Sequence, residues 1–172
     1  MKQLINIINK IWKAVKDTND NMEEIMDITI LGLLKEFCIK HLELKLRYSI
    51  NIDELPTGVM GRYVNAWHEI QLDTKHSFYT QAALNGNSMF LQDCINTILH
   101  EFRHAWQYEG HMEIPKMYIS GTNNFEEYWN QPIEIDARAW ASKYEKEAYK
   151  YIALNLLDAL INYDENNYVL SK

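Results

Sequence analysis

The sequence predicts a small α+β fold, and three observations lead there. Apolar residues recur at helical spacing near the N-terminus, alternate across residues 44–74, and return to helical spacing from about residue 89 onward. The 172 residues, 47% of them apolar, suit one core of ordinary size. No linker, internal repeat or low-complexity tract interrupts them, so residues 1–172 read as a single domain, with residues 1–44 its helical N-terminal part.

The elements follow in order. Ile5, Ile8, Ile11, Trp12 and Val15 mark an opening amphipathic helix, and the polar run DTNDN at 17–21 forms a turn that can cap the next one. From Met22 to about Leu44, Ile25, Ile28, Leu31, Leu34 and Phe37 fall on one inward face. Residues 44–52 (LKLRYSINI) alternate as a strand and stop at DELPTG, where Pro56 and Gly58 break the run. Residues 61–74 (GRYVNAWHEIQLDT) read as a second strand-like run. The segment MFLQDCINTILHEFRHAWQYEG, starting near Met89, places Phe90, Cys94, Ile95, Ile98, Leu99, Phe102, Ala105 and Trp106 at helical spacing and stops at Gly110. Residues 111–132 hold two prolines, a glycine and paired asparagines, which predicts a loop with at most a short turn of helix. A last long helix starts at Pro132, a residue favoured in the first helical turn.

Charge and composition narrow the function. Asp plus Glu number 24 against 17 Lys plus Arg, a net charge of -7, which argues against a phosphate-binding surface and so against nucleic acid as partner. Lys2, Lys10 and Lys13 interrupt the apolar N-terminal stretch, so it reads as an amphipathic helix and not as a secretory leader; no later segment is apolar for long enough to span a membrane. Cys38 and Cys94 stand far apart and belong to no metal or redox motif; two free thiols point to a reducing, cytoplasmic setting.

Within the helix ending at Gly110 lies ILHEFRHAWQ, residues 98–107. His100 and His104, one turn apart, are separated by about 40° of rotation, so both imidazoles leave one face and can share a metal ion. Glu101 projects about 60° from His104, near enough to reach an activated water without ligating the ion. This is the HExxH arrangement, in which two neutral imidazoles suit zinc and the carboxylate serves as general base. Ile98, Leu99 and Phe102 anchor the opposite side of the helix.

Catalytic zinc takes three protein ligands and keeps one open position. The leading third ligand is Glu134, in the first turn of the last helix. Asp136 points to a different side of that helix and is the reserve ligand, or a partner that orients a ligating histidine. His111 is a rival: HEFRHAWQYEGH approaches the metzincin spacing HExxHxxGxxH, but Gly110 and His111 both come too late in it. Tyr108, Tyr118, Tyr128 and His111 are all candidates to stabilise an oxyanion. There is no GxSxG, no glycine-rich phosphate loop, and no cysteine in a nucleophile-like setting; Cys94 falls on the apolar face of its helix.

HEFRHAWQ followed by PIEIDARAWA resembles the zincin metallopeptidases of the gluzincin type, and especially their ImmA/IrrE-like bacterial and phage group, whose HExxH helix is followed by a helix of pattern E-x-x-A-x-x-x-A, here Glu134, Ala137 and Ala141. The resemblance covers roughly residues 60–145. It implies a small zincin-like fold with N-terminal helices, a short, mostly antiparallel sheet, the HExxH helix and a ligand-bearing C-terminal helix. It also implies zinc held by His100, His104 and Glu134, with Glu101 as general base and a peptide or protein as substrate. In such folds an edge strand beside the motif helix receives extended peptide, a role open to residues 61–74 if they form an edge and not an internal strand. Two alternatives are a non-catalytic binding module on the same fold and a regulatory protease restricted to one partner protein.

Overall fold

A computed structural model describes residue 10 and residues 22–74, 88–114, 118–121 and 123–161. Residue 10 apart, the helix and turn expected over residues 1–21 lie outside the described residues, as does most of the polar stretch before residue 88.

Helix α1 (Met22–Leu42) buries Leu31, Leu34 and Phe37, as the spacing predicts, but also Thr29, Ile30, Leu33 and Cys38. Its buried face is wider than one stripe because it packs on two partners, the last helix and the motif helix. The helix ends where Glu43 takes a left-handed φ of 51° and the Leu44 amide returns to the Ile39 carbonyl at 3.1 Å, a Schellman-type close. Residues 44–48 then run as loop, and β1 spans only Ser49–Asp53. The apolar residues that suggested an earlier start, Leu44 and Tyr48, are buried by packing outside the sheet.

The single run expected over residues 61–74 is two strands. β2 (Gly61–Val64) and β3 (Glu69–Asp73) are joined by a 3-10 turn at Asn65–Trp67 and by His68, whose φ is 49°. The His68 amide closes the turn onto the Asn65 carbonyl at 3.3 Å, and Trp67, counted from sequence as part of the strand, is 68% exposed. β3 is central: it pairs antiparallel with β2 (Gly61 opposite Leu72, Tyr63 opposite Ile70) and parallel with β1 (Ile50 opposite Ile70, Ile52 opposite Leu72). Ile50, Ile70 and Leu72 enter the core. The other face carries a polar ladder in which Arg62 Nε donates to Gln71 Oε1 (2.6 Å), Gln71 Nε2 to Glu69 Oε1 and Asn51 Nδ2 to Glu69 Oε2, satisfying the buried Gln71.

Helix α2 (Ser88–Trp106) carries the motif and continues into a π turn at Gln107–His111, where Gly110 adopts φ 92°. Its Cys94, Ile95, Ile98, Leu99, Phe102 and Ala105 form the centre of the core. Short α3 (Phe125–Trp129) is capped by Asn124, whose Oδ1 accepts from the Glu127 amide. Helix α4 (Pro132–Ile161) begins where the sequence predicts and packs along α2 and α1. The architecture is α+β as expected, with three long helices and a small sheet among the described residues. Among the described residues, no helix is long and apolar enough to cross a membrane.

Candidate metal centre

The packing of α4 on α2 brings residues from two helices to one point. His100 Nε2 and His104 Nε2 lie 2.9 Å apart; Glu134 Oε2 is 3.2 Å from the first and Oε1 is 3.4 Å from the second. An ion with tetrahedral bonds of about 2.0–2.1 Å sets its ligand atoms about 3.3 Å apart. The three contacts scatter closely around that spacing, so the cluster could hold a metal ion.

Two further features fit an ion. Glu134 is fully buried, and its Oε2, 3.2 Å from His100 Nε2, makes no well-aligned hydrogen bond, so a cation between the two would complete it. Electrostatics point the same way. Burial opposes the charged form of Glu134, but contacts with His100 and His104 outweigh it and hold the carboxyl well below its usual range. Burial likewise lowers the pKa of His104, yet Glu134 and the Glu101 charge reverse that and raise it. The histidines thus hold Glu134 as a carboxylate, the form that can ligate a cation.

Glu101 is buried on the same helix, and its charge is felt at His104, Tyr118 and Tyr128. Tyr118 Oη donates to Glu134 Oε1 at 3.0 Å. Burial, then the Glu134 charge, pushes the Tyr118 and Tyr128 hydroxyls up, so both remain protonated donors at neutral pH. Tyr118 is held in place by the buried Gln131, whose amide pairs with both backbone groups of Ile119, at 3.0 and 2.8 Å.

The remaining candidates go elsewhere. His111 stacks on Trp106, ring centroids 4.6 Å apart and nearly parallel, and is not part of the cluster. Tyr108 packs on Tyr63. Asp136 faces away from the three ligands: both its oxygens accept from Arg103, at 2.7 and 3.1 Å, and Oδ2 also accepts from Gln107 Nε2 at 2.8 Å. Burial raises its pKa, but Arg103 and Gln107 more than offset this, so it is held ionised below the usual range. Cys38 and Cys94 are buried; burial, then Asp27 and Asp93, pushes the Cys94 thiol up to about 12, which keeps it protonated and unreactive as a nucleophile at neutral pH.

Gln107 is the residue the sequence reading missed. It is fully buried, and its Oε1 lies 2.8 Å from His104 Nδ1. Its spacing from His104, less than one turn, was a usable signal, because that places an amide within reach of the same imidazole.

No protein family, curated protein or solved structure matches the chain. The chemistry of this cluster therefore rests on its own residues.

On the sheet side, β2 borders α2 and is an edge strand among the described residues, while β3 is internal. A Cβ at Gly61 would come within 2.6 Å of Thr97 Cγ2, so the strand and the motif helix touch there through a missing side chain. Thr97 lies one turn before Glu101. The edge of β2 thus runs beside the flank of the helix that carries the carboxylate.

Proposed function

We propose that the protein is a zinc-dependent metallopeptidase of the gluzincin type, with His100, His104 and Glu134 as ligands. The carrying observation is the convergence of two imidazoles and a buried carboxylate beside a second carboxylate, Glu101, that the cluster does not use as a ligand. Two nitrogen donors and one oxygen donor suit zinc and leave a position free. Zinc bound there would supply Lewis acidity to polarise a peptide carbonyl and activate a water.

The protein's own groups do the rest. Glu101 takes a proton from the attacking water and returns it to the leaving amine. The Tyr118 hydroxyl, protonated and half exposed, would turn its one O–H from Glu134 to steady the developing oxyanion. Extended substrate adds to β2, an edge strand among the described residues. A module kept only for binding has no use for Glu101 at this place, which favours the enzymatic reading over the non-catalytic one.

The test is elemental analysis together with hydrolysis of a diverse peptide mixture. Wild type should carry about one zinc per chain; His104→Ala should carry none. Glu101→Gln should retain zinc and lose about 10²- to 10⁴-fold in rate. Absence of zinc from wild type, or undiminished hydrolysis by Glu101→Gln, would refute the proposal.

A further inference from the structure

A chain of side chains runs from the cluster along the contact between α2 and α4, and its hydrogen-bond polarity is fixed. Gln107 Nε2 donates to the Ile133 carbonyl at 2.9 Å and to Asp136 Oδ2 at 2.8 Å. Both partners only accept, so the amide cannot be turned around: its nitrogen must face them and its oxygen must face His104. Asp136 is locked in turn by the two-pronged contact with Arg103, whose guanidinium lies 3.6 Å above the Trp106 ring.

The consequence falls on His104. With Gln107 Oε1 at 2.8 Å, the imidazole must donate from Nδ1, which in the neutral ring leaves the lone pair on Nε2. Nε2 is the atom that faces His100 and Glu134. A histidine free in water carries its proton mainly on Nε2, the form that cannot ligate through that atom.

We propose that Gln107, oriented by Asp136 and Arg103, is a positioning residue that holds His104 in the tautomer able to bind metal through Nε2. The same bonds have a second effect. Ile133 and Asp136 bracket Glu134 in the first turn of α4, so the amide that selects the tautomer also sets the third ligand's helix against the first two ligands. The proposal rests on the metal-site reading above, and its test separates the two.

The experiment compares wild type, Asp136→Asn and Gln107→Leu. In the metal-free proteins, long-range ¹H–¹⁵N NMR of the histidine rings reads the His104 tautomer directly. Wild type should be protonated at Nδ1; both variants should shift toward Nε2. Asp136→Asn is nearly isosteric and keeps the fold, but it disrupts the all-acceptor partner that Gln107 and Arg103 share. Zinc affinity, measured by competition with a chromogenic chelator, should fall about 10- to 100-fold in each variant. A purely structural role would lower the melting temperature without moving the tautomer. An unchanged tautomer in both variants, or wild-type zinc affinity in both, overturns the proposal. If wild type itself takes up no zinc, the metal reading falls, and the tautomer comparison still decides the role of Gln107.

Discussion

Glu109 shows how much one carboxylate can hold. Its Oε1 accepts from the Leu46 amide at 3.1 Å and from Tyr48 Oη at 2.7 Å, and both its oxygens accept from the Lys45 amide. It fastens the π turn after the motif helix to the loop that leads into β1. Burial works against its charge, but the Tyr48 hydroxyl and the Leu46 and Lys45 amides prevail, and its pKa lies below the ordinary glutamate value. A folded-state pKa below the unfolded one stabilises fully above about pH 4.3, and the contribution fades as pH falls through the lower folded value. Glu109→Gln should therefore cost about 1.5–3 kcal/mol at pH 7, the range for hydrogen bonds to a charged group. Urea unfolding of both proteins at pH 7 and toward pH 3 measures this. The gap between them should narrow in acid; a gap independent of pH would mean that shape, and not charge, makes the contact.

At the scale of elements, α2 was legible because its apolar residues recur every 3.6 positions over many turns and stop at Gly110, and α4 was legible because Pro132 marks its start. The division of residues 61–74 was not legible. The link between β2 and β3 is only Asn65–Trp67 with His68 left-handed, and no glycine or proline announces it. The strands' pairing with each other, decided by contacts across the turn, turned one apparent strand into two. Gly61 then has a meaning that no local pattern shows, since it matters through Thr97, in another element. Gly61→Ala should destabilise by about 1–3 kcal/mol, as overpacking does. Thr97 Oγ1 is tied to the Asp93 carbonyl at 2.9 Å, so Cγ2 has little freedom to turn aside. Thr97→Ser deletes that methyl and keeps the tie, so the double variant Gly61→Ala, Thr97→Ser should recover most of the loss. Denaturant midpoints of the four proteins form a double-mutant cycle; purely additive effects would show that the clash lies elsewhere.

For the molecule as a whole, half of the candidate centre was written in a short stretch and half was not. His100, Glu101 and His104 share one helix, so spacing alone sets them on neighbouring faces. Glu134 stood out by its place in the first turn of α4, but its approach to the histidines depends on how α4 packs along α2, and the role of Asp136 depends on Gln107 standing between it and His104. That packing gives the ion a mechanical consequence. Zinc bound to two residues of α2 and one of α4 would join the two helices at the core's most extensive contact, so binding should stabilise the fold and not only the site. At free zinc about 100 times the dissociation constant, linkage adds about 2.7 kcal/mol. A domain of this size gains about 2–4 °C in Tm per kcal/mol, so the melting temperature should rise by about 5–11 °C. His104→Ala and Glu134→Ala should show no such rise, and a chelator should reverse it in wild type. Differential scanning calorimetry with and without zinc decides the matter: an equal rise in the ligand variants would place the ion at another site, and no rise in wild type would mean that the two helices close on each other without it.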